Sequence, residues 1–379
     1  MVNEQIVNDF KTSAKEVLES NILPFWLNRM LDPKGGFYGR MDGHNNLHAD
    51  APRGTILHAR ILWSFSAAYR ILNNPDYLRA AQHAKDYIEA HMLDREFGGA
   101  YWSVNPDGTP LDAHKQIYAM AFLIYAYAEY FRATQDQQAL QTAIELFHTI
   151  ERYGRDRMYL GYTEAAARDW SPIEDMRLSD KDENTVKSQN TNLHVLEAYT
   201  NLYRVWKAEE LKQALDELIQ VFETRIMQPS GHLGLFFDEQ WRPTNSRFSA
   251  GHDIECSWLI DEAAAVIGRN VDGTVRKLAQ VAAEARHDDG SLGELDWWTQ
   301  AETVVGYDNI YRRFGDEQAR RYAETAWSYI QQHLIDYENG EWFWGVLPDG
   351  TPDTGNDKAG FWKCPYHNSR MCLKKILAE

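Results

Sequence analysis

GGAYWSVNPDGTP at residues 98–110 and GEWFWGVLPDGTP at 340–352 nearly repeat each other, 242 residues apart. The match extends upstream, where YIEAHMLD (87–94) is echoed by YIQQHLID (329–336). Pro presets φ for a turn and Gly supplies φ > 0, so PDG marks a turn. The aromatic alternation before it predicts a short strand or hairpin arm. Looser versions are GGFYGRMDG from 35, LGYTEAAARDW from 160, GHLGLFFDEQWRP from 231 and DGSLGELDWW from 289. That makes six markers, at spacings of roughly 60 residues.

Between the markers the period is helical. PDYLRAAQHAKDYIEAHML (75–93), QQALQTAIELFHTI (137–150) and LKQALDELIQVFETRI (211–226) place apolar residues three and four apart. Each interval holds two such segments. Units of this kind cannot bury their faces alone and must stack or close. Six helical hairpins predict an all-α fold, an (α/α)6 barrel of twelve helices with short β-hairpin elements at one end. An open solenoid is the alternative. No Pro/Gly/Ser linker divides the chain, so residues 1–379 read as one domain.

The net charge of −17 opposes binding to nucleic acid or anionic lipid. No apolar run is long enough to span a bilayer. MVNEQIVNDFKTSAKEVLES at the start is a mixed-charge amphipathic pattern, not a leader. Three cysteines without a CxxC pair fit a reducing compartment, and the expected location is cytoplasmic. An acidic, self-closed barrel is expected to be a monomer. The 13 Trp and 20 Tyr exceed what a core needs and suit a sugar-binding cleft.

The helix after each marker opens with a polar or aromatic residue of catalytic type. After the first, Arg60 sits in the apolar stripe Ile56, Ala59, Trp63, Ala67, where a guanidinium must find polar partners. The second opens with Tyr118. The third places Asn190, His194 and Glu197 on one face. The fourth carries His252 and Glu255, the fifth Trp298 and Glu302, the sixth Trp362 and His367. In a closed ring these first turns converge on one mouth. Helix N-termini there also favour an anionic intermediate.

That set suits proton abstraction beside a carbonyl. The reaction needs a base of near-neutral pKa, which histidine supplies, and donors where enediolate charge develops, for which Arg60 and His194 qualify. Glu255 is placed to tune His252. Inversion at one carbon is easiest with bases on opposite faces, and His252 and His367 come from different units.

Competing readings stand beside this one. Metal-ligand spacings occur at His252/Glu255, Glu145/His148 and His44/His48, but no HExxH is present. No nucleotide-binding glycine motif is present. Glycoside hydrolysis needs two carboxylates, and Asp182, Glu294, Asp296 and Glu302 are available. A non-catalytic sugar or peptide binder is the third class.

The most specific pieces are ARILWSFSAAYR (59–70), NTNLHVLEAYTNLYR (190–204), GHDIECSWLIDEA (251–263), WWTQAE (297–302) and WKCPYHNSR (362–370). On these, nearly end to end, the chain resembles the N-acylglucosamine 2-epimerase superfamily, and WKCPYHNSR is similar to its disaccharide epimerases. The resemblance implies an (α/α)6 barrel without cofactor or metal. It implies reversible C2 epimerisation of the reducing-end glucose of β-1,4-linked disaccharides: cellobiose, lactose, mannobiose. A monosaccharide epimerase or mannose isomerase of the superfamily is the alternative. By motif position, the resemblance makes His252 and His367 the acid/base pair, with Glu255 supporting His252. Arg60 and His194 bind O1 and O2. Tyr118, Asn190 and Trp298 shape the reducing-sugar subsite, with Trp297 able to exchange places with Trp298. Trp362 stacks on the next sugar, and Asp182 and Glu302 are expected among the sugar-binding groups. Cys364 has no role.

Overall fold

The structure is a computed structural model describing residues 2–377. Helix α1 (Val2–Val17) runs on through a wide turn, Leu18–Ile22, into α2 (Leu23–Phe25) and a second wide turn, Trp26–Met30. Then come α3 (Thr55–Leu72), α4 (Pro75–Tyr87), α5 (Ile117–Thr134), α6 (Gln137–Tyr153), α7 (Gln189–Val205) and α8 (Glu209–Val221). The chain continues with α9 (Ala250–Ile267), α10 (Asp272–Ala282), α11 (Trp297–Phe314), α12 (Glu317–Tyr329) and α13 (Tyr366–Leu377). Counting the α1–α2 run once, that is twelve helices among the described residues.

Helices α3, α5, α7, α9, α11 and α13 pack side by side in that order, and α13 returns against α3. The ring is therefore closed. Outside it α4, α6, α8, α10 and α12 each cover the inner helix before them, and α1 covers α13. This is the (α/α)6 barrel. Among the described residues no helix is long and apolar enough to cross a membrane.

The two rings differ as their sequences require. In α5 every residue from Ile117 to Phe131 is buried, as expected of a helix apolar on all sides. In α6 burial is confined to one stripe, Ala139, Ala143, Leu146, Phe147 and Ile150.

At the rear, inner helices end on a left-handed residue: Asn73 (φ 55°), Gln135 (φ 62°), Gly268 (φ 77°) and Gly315 (φ 69°). The next residue often caps the outer helix. The side chains of Asn74, Asp136 and Asp316 accept the first free N–H groups of α4, α6 and α12.

At the front, each outer helix runs into one of the six markers, and each marker is closed by an antiparallel bridge. The pairs are Leu31–Phe37, Leu93–Ala100, Arg155–Tyr162, Met227–Leu233, Arg286–Leu292 and Ile335–Trp342. The two PDG turns coincide. Asn105 N–H donates to the Thr109 carbonyl and Leu347 N–H to that of Thr351, both at 2.8 Å. Gly108 and Gly350 adopt φ of 85° and 84°.

Short strands tie each unit to the next. β1 (Arg53–Gly54) pairs with β2 (Ser103–Val104), which pairs with β3 (Pro110–Asp112). β4 (Lys115–Gln116) pairs with β5 (Ala165–Ala166), and β6 (Lys187–Ser188) with β7 (Phe236–Phe237), all antiparallel. Asp296 bridges Gly345, and Met41 bridges Ala359, joining the last unit to the first. Buried ion pairs pin four of these loops: Arg53–Asp32, Lys115–Asp94 (2.7 Å), Lys187–Asp156 (2.6 Å) and Lys358–Asp336.

Candidate active site

The front turns surround a cavity of about 550 Å³. All six inner helices contribute to its wall near their first turns: Arg60 from α3, Tyr118 from α5, His194 from α7, His252 from α9, Trp298 from α11 and His367 from α13. Glu255, Asn190, Asp182 and Trp362 also line it.

Arg60 is 3% exposed. Its Nη2 donates to the Tyr118 hydroxyl at 2.6 Å and Nη1 to the Trp362 carbonyl at 3.3 Å. The guanidinium lies 4.2 Å from the Phe122 ring centre. Its Nε has no partner. Among the described residues no carboxylate pairs with it, whereas buried Arg53 and Arg370 are both paired. A buried cation left this way is a receptor for negative charge. Burial pushes the Tyr118 phenol well up, so its own proton stays in place to donate.

Two of the three site histidines are held by carboxylates. His194 Nδ1 meets Glu197 at 2.8 Å, and His367 Nδ1 meets Glu302 at 2.7 Å. Arg370, on α13, joins the two dyads. Its guanidinium donates to Glu197, to Glu302 (2.7 Å) and to Glu255 (3.0 Å). The Tyr366 hydroxyl also donates to Glu197. Trp258 Nε1 donates to the second oxygen of Glu302 at 2.9 Å. Burial works against the charge on Glu302, yet Arg370 and His367 hold it down to about 2. Burial, and the charge of Glu302 beside it, push Glu255 well above the usual carboxylate range.

Two placements differ from the sequence reading. Glu302, expected among the sugar-binding groups, is fully buried behind the cavity wall, both its oxygens engaged by protein donors. Glu255, expected beside His252, makes no hydrogen bond with it and accepts from Arg370, with His367 Nδ1 at 3.9 Å. Helical spacing put Glu255 on the right face, but the crossing of α13 decides which cation it meets.

Glu255, Glu302 and His367 also have the spacing of a metal site. The Arg370 guanidinium bridges the two carboxylates, so their charge is already answered by a fixed cation. Of the other spacings, His148 is exposed and nearest Glu210, and His48 meets Asp42.

His252 is built differently. Its Nδ1 is buried without a hydrogen-bond partner. Its ring packs on Trp298 with centroids 4.9 Å apart, and His367 lies 5.8 Å from the same indole. Gly251 makes room for this: a Cβ there would approach the Trp298 ring to 2.7 Å. Burial, then repulsion from His194, lowers His252 to about 4, and burial lowers His367 to about 3 against the pull of Glu302. Burial thus favours the neutral form of each imidazole.

Trp297 is buried against Trp344 and 6.5 Å from His367, while Trp298 lies near both imidazoles, 4.9 Å from His252 and 5.8 Å from His367 between ring centres. Trp362 packs near Tyr118 and Trp102 at the outer edge. Asp182 sits in the covering loop, accepting from Ser179 at 2.7 Å. Of the carboxylates a hydrolase would use, Glu294 is exposed, and Asp296 caps α11 with burial raising it to about 7.

The (α/α)6 barrel thus gathers three histidines, two of them buried, and an unanswered guanidinium at one mouth. A profile of the N-acylglucosamine 2-epimerase (GlcNAc 2-epimerase) family matches residues 36–370. The chain is 47% identical to a cellobiose 2-epimerase of Bacteroides fragilis, over 97% of this chain and 98% of that one. It is 37% identical to one from Ruminococcus albus, over 96% and 98%. The solved structure of cellobiose 2-epimerase from Bacillus thermoamylovorans superimposes with a TM-score of 0.94 at 40% identity, covering 98% of this chain and 99% of that one. The chain belongs to the N-acylglucosamine 2-epimerase family, and it is an isomerase of the epimerase class.

Proposed function

We propose that the protein reversibly epimerises C2 of the reducing-end glucose or mannose of β-1,4-linked disaccharides such as cellobiose, lactose and mannobiose. The supporting observation is the pair of imidazoles set against one indole ring, in a cavity whose guanidinium has no carboxylate partner. The names of the relatives point to cellobiose.

In this reading His252 and His367 first help open the ring. One imidazole then takes the C2 proton. The C–H electron pair becomes the C1–C2 double bond of a cis-enediolate, and the charge moves to O1. Arg60, Tyr118 and His194 face that charge. The other imidazole, which has taken up a proton from water beforehand, returns it as imidazolium to the opposite face of C2 and the carbonyl re-forms. Glu302 fixes the Nδ1 proton of His367, which leaves Nε2 for the substrate. The resting site disfavours imidazolium, and the enediolate supplies the negative charge that stabilises it. Trp362 and Asp182 hold the second sugar.

The test is cellobiose in D2O with chelator-treated enzyme. Glucosyl-mannose carrying deuterium at C2 is expected. Free glucose would establish a hydrolase instead, and product without deuterium would exclude proton transfer. Preferential turnover of N-acetylglucosamine or mannose would replace the disaccharide by a monosaccharide.

The acid limb of kcat/KM supplies a second check, because that parameter reports free-enzyme groups. The imidazole that takes the C2 proton works deprotonated, and burial holds His252 at about 4. Activity is therefore expected to persist through the pH region near 6.5 where an ordinary histidine titrates, and to fall only toward about 4. A limb centred near 6.5 contradicts it.

A further inference from the structure

A second cavity, of about 510 Å³, opens beside the first, and His252 stands in the wall of both. Its floor is the start of α7. Gln189, the first residue of that helix, is fully buried and lines this cavity, and neither its Oε1 nor its Nε2 has a hydrogen-bond partner in the protein. Its backbone is satisfied, with N–H donating to the Leu235 carbonyl at 2.9 Å. Beside it the Glu164 carboxylate is engaged by Ser188 N–H (2.7 Å) and the Thr191 hydroxyl (2.6 Å). A buried amide with nothing to bond is costly, and water or a ligand hydroxyl recovers the loss.

The three site histidines differ at Nδ1. The Nδ1 atoms of His194 and His367 are tied to Glu197 and Glu302. His252 Nδ1 has no protein partner. We propose that the second cavity is a water-filled route by which His252 exchanges its proton with solvent, and that Gln189 is the positioning residue that orders that water. This rests on the two-imidazole reading above.

The chemistry requires such a route. Each turnover leaves one imidazole with a proton gained and the other with a proton lost. Before another turnover in the same direction, the imidazolium must release its N–H proton to water, and the neutral imidazole must take one from water. No other co-reactant enters. If the water is lost, this reset limits turnover, while the capture of substrate by the correctly protonated form does not change.

Gln189→Leu tests this, since it keeps the bulk and removes both polar atoms. Its kcat on cellobiose is expected to fall about tenfold with kcat/KM held within about twofold. The isotope effect of C2-deuterated substrate should shrink on kcat and persist on kcat/KM, and imidazole buffer should restore kcat. Gln189→Asn, which keeps an amide, should retain most of kcat. Equal loss of kcat and kcat/KM, or no change in either, overturns the proposal. If Gln189→Leu does not fold, Phe236→Trp, which fills the same cavity without removing a polar group, is read in the same way. Wild-type enzyme that fails to exchange C2 with solvent refutes the proposed function itself. A wild type that does exchange, beside an indifferent Gln189→Leu, refutes only the water route.

Discussion

Replacing His252 with asparagine is expected to lower turnover on cellobiose by about 10²–10⁴-fold, the usual worth of a positioned acid–base group, and to leave the melting temperature unchanged. The second half is the more discriminating. His252 Nδ1 makes no hydrogen bond in the protein, so the substitution orphans no partner. The ring touches Trp298, and asparagine forfeits part of that contact. His367→Asn should lose as much turnover and should also lose stability, because Glu302 is deprived of a donor at 2.7 Å. Initial rates and thermal melts on the two variants decide the matter. Near-native rates in His252→Asn would remove it from the chemistry, and a large drop in melting temperature would mean that its nitrogen has a structural partner.

Arg370→Met is expected to be the most destabilising single change at the site, by about 3–5 kcal/mol, the range for breaking a buried ion pair from one side. Three carboxylates from three inner helices meet this guanidinium: Glu197 of α7, Glu255 of α9 and Glu302 of α11. With α13 itself, four of the six inner helices are joined through one planar group. Lysine cannot replace it, since a point charge cannot reach three acceptors in a fork. Urea unfolding midpoints for Arg370→Met and Arg370→Lys test this. Activity should be lost even where the variant is folded, because both histidine dyads rest on the same cation. A variant that unfolds at the wild-type urea concentration would show that the three carboxylates do not depend on it.

The architecture was legible because its signals are local. Each marker combines a small or glycine residue with an apolar one, and in all six the apolar residue forms the bridge that closes the turn: Phe37, Ala100, Tyr162, Leu233, Leu292, Trp342. The convergence of Arg60, Tyr118, His194, His252 and His367 followed from counting turns, since equivalent turns start equivalent helices at one end. What periodicity does not contain is which side chain answers which across the ring. Glu255 and Glu302 turn to Arg370, a contact set by helices distant in sequence. Arg370 had a readable signal that went unused. It is a charge within the buried run YHNSRMCL, the same anomaly that singled out Arg60. Gln189 had none, because an amide at a helix start reads as a solvated end until the neighbouring loops are seen to bury it.

The rear of the barrel has a consequence for descent. There the connections are terse, Asn73–Asn74, Gln135–Asp136 and Gly315–Asp316, each a left-handed stop followed at once by a cap. The front connections vary in length and bring Asp182 and Trp362 to the cavity. Mutations that lengthen or rewrite a front loop need not disturb the joints that set the helix angles. A lineage can thus trade one sugar for another while inheriting the scaffold whole.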